Sequence, residues 1–592
     1  MKAFLAILLT TIFTLSACNP RPIPESPTAE PSETPLPPTP ASPLPGSFGL
    51  NDPYYPGLGN GGYDALHYLI DLDVDMELNE IAGKTTIQAQ ATQDLSSINL
   101  DFLGLTIEQI MVNGESAIYQ RDGLELVVTL PRPISEDQNF EISISYYGTP
   151  GEGIDSSALQ SYEIGWGYYG NGVYIAGEPN GSSSWYPVNE HPLDKATYTF
   201  HITVEEPYMV AANGTLQEVV AGDGENTYLW EASAPIASYL VTMGIAEFEI
   251  ETEEGPNGVT IRNYFGKNVA RFVRLDFQRT AEMIELFNEL FGPYPFDKYG
   301  VLVHDLELRF ALETQTLSVF GRSFTNETVV SHELAHQWFG DSVALSSWQD
   351  IWLNEGFATY ASILWSEHAH GIAAAEEGLS DMYATMAPGA PTYNLRKSDL
   401  LSTLRDELAA DLLLETDQAG KAITLLLSSS LSEDTLQNTI AEIPETGLSK
   451  AEFVSVVENL AFSRANLTAF RLSEFFAAVE NQELAQSLSV GYPPPGDPGA
   501  DSLFSRSVYQ RGALTLHALR LQIGDTAFFD TLRLYTSTYK NSNATIADFI
   551  AISEEVSGQE LDDLFADWLY AHEIPDIPEL DLYRSDFLEP IE

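Results

Sequence analysis

The sequence predicts a two-domain α+β protein, in which an antiparallel β domain precedes a mainly α-helical domain. The chain has 592 residues, more than one hydrophobic core usually organises, so more than one domain is expected. Apolar residues alternate with polar ones from Tyr63 to about Ile250, which is the period of a β-strand. Beyond about Val259 they recur at helical spacing, so the helical domain is expected to begin there.

The first 48 residues precede the predicted domains and resemble an export signal followed by a spacer. The apolar run from Ala3 to Leu15 is too short to span a bilayer, and the run LSAC ending at Cys18 resembles a bacterial lipoprotein processing site. We therefore expect cleavage of residues 1–17, lipidation of Cys18 and a Pro-rich spacer over 18–48. The protein would be exported and lipid-anchored on the outer face of a bacterial membrane, or held at the cell surface. An ordinary secretory signal with an incidental cysteine is the alternative.

Composition excludes two classes of site or partner. Because Cys18 is the only cysteine, the chain can form neither an intrachain disulfide nor a cysteine-ligated metal site. The 27 Lys and Arg against 86 Asp and Glu give a net charge of −59, which repels nucleic acid and anionic lipid headgroups. We predict no nucleic-acid partner, and the acidic balance favours cationic partners or a strongly solvated surface.

The β domain is predicted over residues 49–256. Segments such as HYLIDLDVDMEL, FEISISYY and ATYTFHITV alternate in polarity and are separated by Gly and Asn turns, as short strands of an antiparallel domain do.

The helical domain is predicted over residues 257–387 and 493–592, with a second helical block over 388–492. The segment ARFVRLDFQRTAEMIELFNELFG predicts a helix that stops at Gly292, and YQRGALTLHALRLQIG predicts one that ends at Gly524.

The segment VVSHELAHQWFGDSV predicts a metal site. His332 and His336 are four residues apart, so on a helix their imidazoles share one face and can bind one zinc ion. Glu333 lies on the adjoining face, where a carboxylate can take a proton from an attacking water. The segment WLNEGFATY begins another helix and brings Glu355 nineteen positions after His336. Two histidines and one glutamate leave a coordination position open, which is typical of a catalytic rather than a structural zinc site.

Other residues compete with Glu355 for the role of third ligand. Metzincins have a glycine and then a histidine at fixed distances after the motif, where this chain has Phe339 and Ser342. His368 and His370 are rivals in principle, but we expect them on the solvated side of the second helix. Glu355 is therefore the predicted third ligand.

The sequence HELAHQWFGDSV followed by WLNEGFATY resembles the aminopeptidase N family of zinc aminopeptidases. The segments YDALHYLIDLDVD, WYPVNEHPLDKATYTF and FGPYPFDKYGVLVHD look like family landmarks, and the resemblance covers about Tyr63 to Thr385 and Pro493 to Pro575. It implies a saddle-shaped β domain on a thermolysin-like, mainly α catalytic domain, with the active site in the cleft between them and residues 388–492 as a helical insertion. It also implies one Zn²⁺ ion and, as substrates, peptides with a free N-terminus.

Three further site residues are implied by the resemblance. The family's exopeptidase signature, Gly-Ala-Met-Glu-Asn, corresponds here to FALET, which keeps Glu313 to bind the substrate's α-ammonium. Glu178, in IAGEPNG, matches another family position that faces the amine, and Tyr509, in SVYQRGAL, matches the tyrosine that stabilises the oxyanion. Phe310 stands where the family has glycine, and we expect it to reshape the S1 side of the cleft.

Two rival functions remain open from the sequence. Because FALET keeps only two of the five residues of the family's signature, a zinc endopeptidase of the same fold remains the first alternative. An inactive surface binding protein on a peptidase scaffold is the rival from another class, and the complete set of expected catalytic residues argues against it. The resemblance also implies that the large C-terminal helical domain of bigger family members is missing, with a more open cleft as the consequence.

Overall fold

The computed structural model describes residues 42–151, 164–387 and 492–587. The predicted signal peptide, Cys18 and nearly all of the predicted insertion at 388–492 lie outside these residues. Among the helices that the structure describes, none is long and apolar enough to cross a membrane.

Alternating polarity produces the strands of the first domain. In the strand at Tyr63–Asp75, buried side chains alternate with more exposed ones along most of its length, as expected for a sheet with one face on the core. In chain order the strands are β1 Leu44–Pro45, β2 Ser47–Phe48, β3 Asn60–Gly61, β4 Tyr63–Asp75, β5 Glu80–Ala91, β6 Leu95–Asp101, β7 Thr106–Val112, β8 Glu115–Ser116, β9 Ile118–Asp122, β10 Glu125–Ile134, β11 Asn139–Gly148, β12 Gly165–Tyr168, β13 Gly172–Ala176, β14 Lys195–Glu205, β15 Met209–Ala212, β16 Thr215–Ala221, β17 Glu225–Ala237 and β18 Met243–Ala246.

Three larger sheets organise this domain. The largest has the order β16-β17-β14-β4-β5-β11-β7-β8, and the two four-stranded sheets have the orders β1-β6-β10-β9 and β12-β13-β18-β15. Most neighbours are antiparallel, as predicted, but β14 pairs with β4 in parallel. The long chain between these two strands makes that pairing possible, because parallel neighbours need a crossover connection rather than a tight turn.

The second domain combines one sheet with a group of helices. Its strands are β19 Phe248–Glu254, β20 Thr260–Gly266, β21 Lys298–His304, β22 Ala311–Leu312, β23 Ser318–Gly321, β24 Val343–Leu345 and β25 Ser542–Ala544. Its helices are α1 Thr280–Phe291, α2 Glu327–Ala335, α3 Trp352–His370, α4 Ile372–Met386, α5 Gly512–Thr538, α6 Ile546–Ser557 and α7 Asp562–Phe565.

The predicted boundary between residues 256 and 257 falls in the turn of the β19–β20 hairpin. Both strands belong to one five-stranded sheet of order β19-β20-β21-β23-β22. The sequence GPNG at this turn has the composition of a linker, but here it reverses the chain within a sheet. The change from strands to helices therefore comes later, at α1.

Two glycines shape the helices at the predicted positions. Gly292 follows α1 with a φ of 98°, so the helix stops where the sequence predicts. Gly524 has a φ of 79° inside α5, and the helix resumes directly after it and continues to Thr538. The predicted helix end at Gly524 is thus a break between two helical segments, because glycine tolerates a left-handed backbone there.

The predicted α+β fold, with a β-rich domain before a mainly helical one, is confirmed. Buried hydrophobic side chains form a continuous core that runs through both domains. At the interface, Lys195 of β14 donates from Nζ to the backbone oxygens of Asp341 and Ser342, at 2.7 and 3.1 Å. Because the domains share a core and polar contacts, residues from both can be held at fixed positions around one site.

Candidate metal centre and substrate cleft

Two helices of the second domain carry the predicted metal ligands. The side chain of Asn326 accepts a hydrogen bond from the Val329 N–H and caps the start of α2. His332 lies in the last turn of α2, and His336 directly follows it. Glu355 lies in the first turn of α3. The end of one helix and the start of the next therefore meet at the site.

The three predicted ligand side chains converge on one point. His332 Nε2 lies 3.1 Å from His336 Nε2 and 3.1 Å from Glu355 Oε2. His336 Nε2 lies 3.4 Å from Glu355 Oε2. Ligand atoms about 2.0–2.1 Å from a tetrahedral zinc ion lie about 3.3 Å from one another. The spacing of these donor atoms thus fits a single zinc ion.

Contacts around the ligands orient one of them and keep another ionised. His336 Nδ1 lies 3.0 Å from the backbone oxygen of Phe339 and donates its N–H to it, which leaves Nε2 free to bind a metal. Burial alone would raise the pKa of Glu355, but His336 and His332 outweigh it and lower the pKa to about 2. The carboxylate of Glu355 is therefore ionised, as a zinc ligand must be.

Glu333 lies beside the ligand set on α2 and is 5% exposed. One carboxylate oxygen each from Glu333 and Glu313 and a ring nitrogen of His336 lie within 4.8 Å of one another. Burial raises the pKa of Glu333 well above its ordinary value, His336 opposes this, and the carboxylates of Glu313 and Glu355 add to it. A bound dication would oppose this rise, so burial, the charged neighbours and the metal together would set how tightly Glu333 holds a proton.

Glu178 and Glu313 bring two buried carboxyl groups from different domains to the same place. Glu178 follows β13 of the β domain, Glu313 follows β22 of the second domain, and they are 6% and 2% exposed. Burial and then the charge of Glu313 raise the pKa of Glu178 well above its ordinary value. Within the described residues, the Oε1 atom of each has no hydrogen-bond partner. The site thus offers unpaired acceptors beside the predicted metal position.

The loop that carries Glu313 is clamped by a residue that the sequence analysis did not identify. Gln337 donates from Nε2 to the backbone oxygen of Glu313 at 3.0 Å, and its Oε1 accepts from the Thr316 N–H at 2.8 Å. Thr316 has a φ of 67°, which is strained for a β-branched residue. Asn213 of the β domain donates to the backbone oxygen of Gln315 at 2.6 Å. The sequence feature that could have identified Gln337 is its position directly after His336, the second predicted histidine ligand.

Tyr509 lies in a π-helical turn, Ser507–Arg511, directly before α5. A close crossing of α3 and α5 brings it to the site: a Cβ built on Gly356 would lie 3.0 Å from the Gly512 backbone. Since Gly356 follows Glu355 and Gly512 lies three residues after Tyr509, this contact places the tyrosine next to the ligand set.

The ring of Tyr509 stacks on that of His332, with centroids 5.8 Å apart and an interplanar angle of 12°. Burial and then the negative charge of Glu355 raise the pKa of Tyr509 well above its ordinary value. Its phenol therefore stays protonated and can donate a hydrogen bond, as the predicted role requires.

The rival ligands lie away from this cluster. His368 Nε2 lies 3.1 Å from Glu282 Oε1, with its side chain 43% exposed, and the side chain of His370 is 56% exposed. Phe310 is partly buried against the core, and its ring lies 6.4 Å from that of Tyr174 in the β domain. Its effect on the S1 side of the cleft stays a prediction.

Two family models match this chain, and the first match runs across most of the predicted insertion at 388–492. Residues 275–440 and 447–568 match the Peptidase family M1 domain. Residues 64–240 match the Peptidase M1 N-terminal domain.

Curated relatives share about a quarter of their residues with this chain. Aminopeptidase A from Gloydius brevicauda is 26% identical over 326 residues, which cover 50% of this chain and 33% of that protein. Leukotriene A-4 hydrolase from Xenopus laevis is 26% identical over 317 residues, which cover 50% of this chain and 51% of that protein. The chain spans from a third to about half the length of these relatives.

Solved structures are similar over nearly all of their own length. An M1 zinc metallopeptidase variant from Deinococcus radiodurans, bound to a Tyr-Ser-Ala substrate, has a TM-score of 0.68 and 25% identity. The similarity covers 90% of this chain and 100% of that chain. A two-domain M1 zinc metallopeptidase variant bound to L-tryptophan has a TM-score of 0.68 and 25% identity, with 90% and 99% covered.

Proposed function

The chain belongs to peptidase family M1, and on that premise we propose that it is a zinc-dependent aminopeptidase, which removes the N-terminal residue from peptides. The observation that carries the proposal is the pair of buried carboxyl groups of Glu178 and Glu313 beside the ligand set, each with an unpaired Oε1. An α-ammonium offers one positive charge and three donors, so it satisfies both carboxyl groups at once. An internal peptide bond has no positive charge and only one N–H donor.

We propose that His332, His336 and Glu355 hold one zinc ion. When bound, zinc supplies Lewis-acid chemistry, polarising the scissile carbonyl and making water more acidic. Glu333 takes the proton from the attacking water and later returns it to the leaving amine. Tyr509 donates its phenolic hydrogen to the oxyanion that develops on the carbonyl. The N-terminal amine held by Glu178 and Glu313 sets which bond reaches these groups.

The comparisons support the choice of substrate class. One similar structure holds a Tyr-Ser-Ala substrate and another holds a single amino acid. A peptide with a free amine is a suitable occupant for two facing carboxyl groups, and Phe310 would then shape the space for the first side chain.

We also propose that the protein is exported and anchored in a membrane through lipid on Cys18. The LSAC run behind an apolar segment and the Pro-rich spacer after it support this location. Fractionation of cells tests it: the protein should sediment with membranes, and Cys18→Ser should move it to the soluble fraction. Equal sedimentation of both would contradict lipid anchoring.

Hydrolysis of aminoacyl reporter substrates tests the activity. We expect release of the reporter that a chelator abolishes, and no cleavage of N-acetylated versions of the same substrates. The variant Glu333→Gln should keep its zinc but lose at least about a thousandfold in kcat. Cleavage of acetylated substrates at the same rate would favour the endopeptidase, and absence of both zinc and hydrolysis would favour the binding protein.

A further inference from the structure

A short segment near the start of the β domain, residues 52–55 between β2 and β3, contacts the second domain. Asp52 is 4% exposed, and its Oδ1 accepts hydrogen bonds from the N–H groups of Tyr54 and Tyr55 at 2.8 and 3.0 Å. Its Oδ2 accepts from the Trp348 N–H at 2.9 Å and lies 3.4 Å from His191 Nε2. One carboxylate therefore joins this segment to both the β domain and the second domain.

The contact with Trp348 lies directly before the helix that carries a proposed zinc ligand. Trp348–Asp350 form a single 3₁₀ turn, Ile351 follows, and α3 with Glu355 in its first turn comes next. The Trp348 side chain is fully buried, and the ring of Tyr55 meets it edge-on with centroids 6.3 Å apart. Asp52 and Tyr55 thus fix the start of α3 from outside the catalytic domain.

The second contact lies on the segment that leads to Tyr509. The hydroxyl of Tyr54 donates to Asp497 Oδ1 at 2.6 Å and accepts from the Gly499 N–H at 2.9 Å. From Gly499 the chain forms one 3₁₀ turn, buries Leu503 and enters the π-helical turn that holds Tyr509. The hydroxyl of Tyr55 also donates to the Ala500 backbone oxygen, at 3.5 Å, so two phenols of this segment contact the beginning of this path, and that of Tyr54 makes the two shorter hydrogen bonds.

We propose that residues 52–55 form a positioning strap, which holds the segments bearing Tyr509 and Glu355 at a fixed distance from each other. The inference rests on the proposed aminopeptidase function, since it assigns the strap a part in that reaction. The strap touches neither substrate nor metal; it acts through Tyr509, whose hydroxyl must lie within hydrogen-bond distance of the oxyanion as the charge develops. A shift of about 1 Å at such a group lowers a rate by up to about a hundredfold.

The variant Tyr54→Phe tests the strap, because it removes one hydroxyl and keeps the ring. We expect kcat on an aminoacyl reporter to fall about tenfold, with KM and zinc content unchanged. In a Tyr509→Phe background the same change should have no further effect, because residues that act through one another are not additive. Tyr63→Phe is the matched control: its hydroxyl donates to the Asn99 backbone oxygen at 2.8 Å inside the β domain, and kcat should stay at the wild-type value.

Amide hydrogen exchange provides a readout that does not depend on activity. In Tyr54→Phe, with or without zinc, exchange should become faster at Gly499 and over 507–511, and the Tyr63→Phe control should not show this change. Unchanged exchange and kcat in Tyr54→Phe would overturn the proposal, as would an equal loss of kcat in the Tyr509→Phe background. If the wild-type protein hydrolyses no aminoacyl substrate, the proposed function fails, and the exchange result alone then decides whether residues 52–55 hold this segment.

Discussion

Two pairs of buried carboxyl groups, Asp101 with Glu190 in the β domain and Glu178 with Glu313 beside the ligand set, differ in the groups around them. In the β domain, Glu190 Oε1 accepts from the N–H groups of Ser182 and Ser183 at 2.5 and 3.2 Å. Asp101 Oδ2 accepts from the Glu190 N–H at 2.8 Å. Beside the ligand set, Glu178 and Glu313 have similar burial, but their Oε1 atoms have no hydrogen-bond partner among the described residues, and Glu313 Oε1 lies 4.0 Å from His336 Nδ1.

The difference separates a structural carboxyl group from a binding one. A buried acceptor without a partner destabilises the folded protein. Glu190 and Asp101 each have one carboxyl oxygen with donors from the protein itself, although Glu190 Oε2 and Asp101 Oδ1 have no hydrogen-bond partner among the described residues. On the proposed function, Glu178 and Glu313 would gain donors and a counter-charge when the substrate amine binds, and the following predictions test this contrast.

Removal of zinc should have the largest effect. Dialysis against a strong chelator should lower the hydrolysis of aminoacyl reporters below detection, and added Zn²⁺ should restore it. The physical reason is that zinc would act as the Lewis acid for both the carbonyl and the attacking water, and the single hydrogen bond from Tyr509 cannot replace it. Metal content and kcat measured on the same samples check this, and activity that persists in metal-free protein would contradict the proposed ligand set.

Replacement of the carboxyl group of Glu313 should have the next largest effect. In Glu313→Gln the site loses a negative charge that faces the substrate amine, so kcat/KM should fall by about a hundredfold or more. Glu190→Gln is the matched control, because it removes a buried carboxyl group that contacts only the protein. Its kcat/KM per folded molecule should equal that of the wild type, and an equal loss in both variants would abolish the contrast between the two regions.

The sequence predicted the parts of this site that depend on local geometry. His332, Glu333 and His336 follow from helical spacing, because α2 and the residue that directly follows it carry all three. Glu355 lies on a second helix, so it reaches the histidines only if the chain reverses direction between the two helices. Its spacing in the sequence allows this reversal but does not predict it. Glu178, Glu313 and Tyr509 came from family resemblance, since their approach depends on how the domains pack.

Contacts between segments that are far apart in the chain could not be predicted from the sequence. Asp52 meets Trp348 across 296 positions of the chain, and no local period records such a pairing. At Gly524 and at residues 256 and 257 the limit is the opposite one. The local signal is clear, but it predicts a helix end and a domain boundary where the structure has a break within α5 and a hairpin turn. Glycine and proline mark a change of direction, but tertiary packing decides whether the element ends there.

A smaller effect should follow from the clamp on the Glu313 loop. In Gln337→Glu the side chain can still accept from the Thr316 N–H, but it no longer donates to the backbone oxygen of Glu313. The loop should shift, and KM for free-amine substrates should rise about tenfold, with a smaller change in kcat. Gln522→Glu is the control: its exposed amide donates to Gln559 at 3.0 Å on another part of the protein. Equal KM values in wild type and Gln337→Glu would show that the clamp does not position the amine site.

The smallest effect concerns stability rather than activity. Burial, partly offset by hydrogen bonds from Ser183 and Ser182, raises the pKa of Glu190 to about 7. The folded protein therefore binds this proton more tightly than the unfolded chain, so the contribution to stability is full below the ordinary glutamate pKa. It is lost as pH rises from there to about 7, with a change of about 3 kcal/mol. Unfolding by denaturant at pH 5 and pH 8 should show a smaller loss in Glu190→Gln than in wild type or in the exposed control Glu141→Gln. Equal losses of stability in the wild type and both variants would mean that Glu190 stays ionised at both pH values. Its hydrogen bonds alone would then offset the cost of burying its charge.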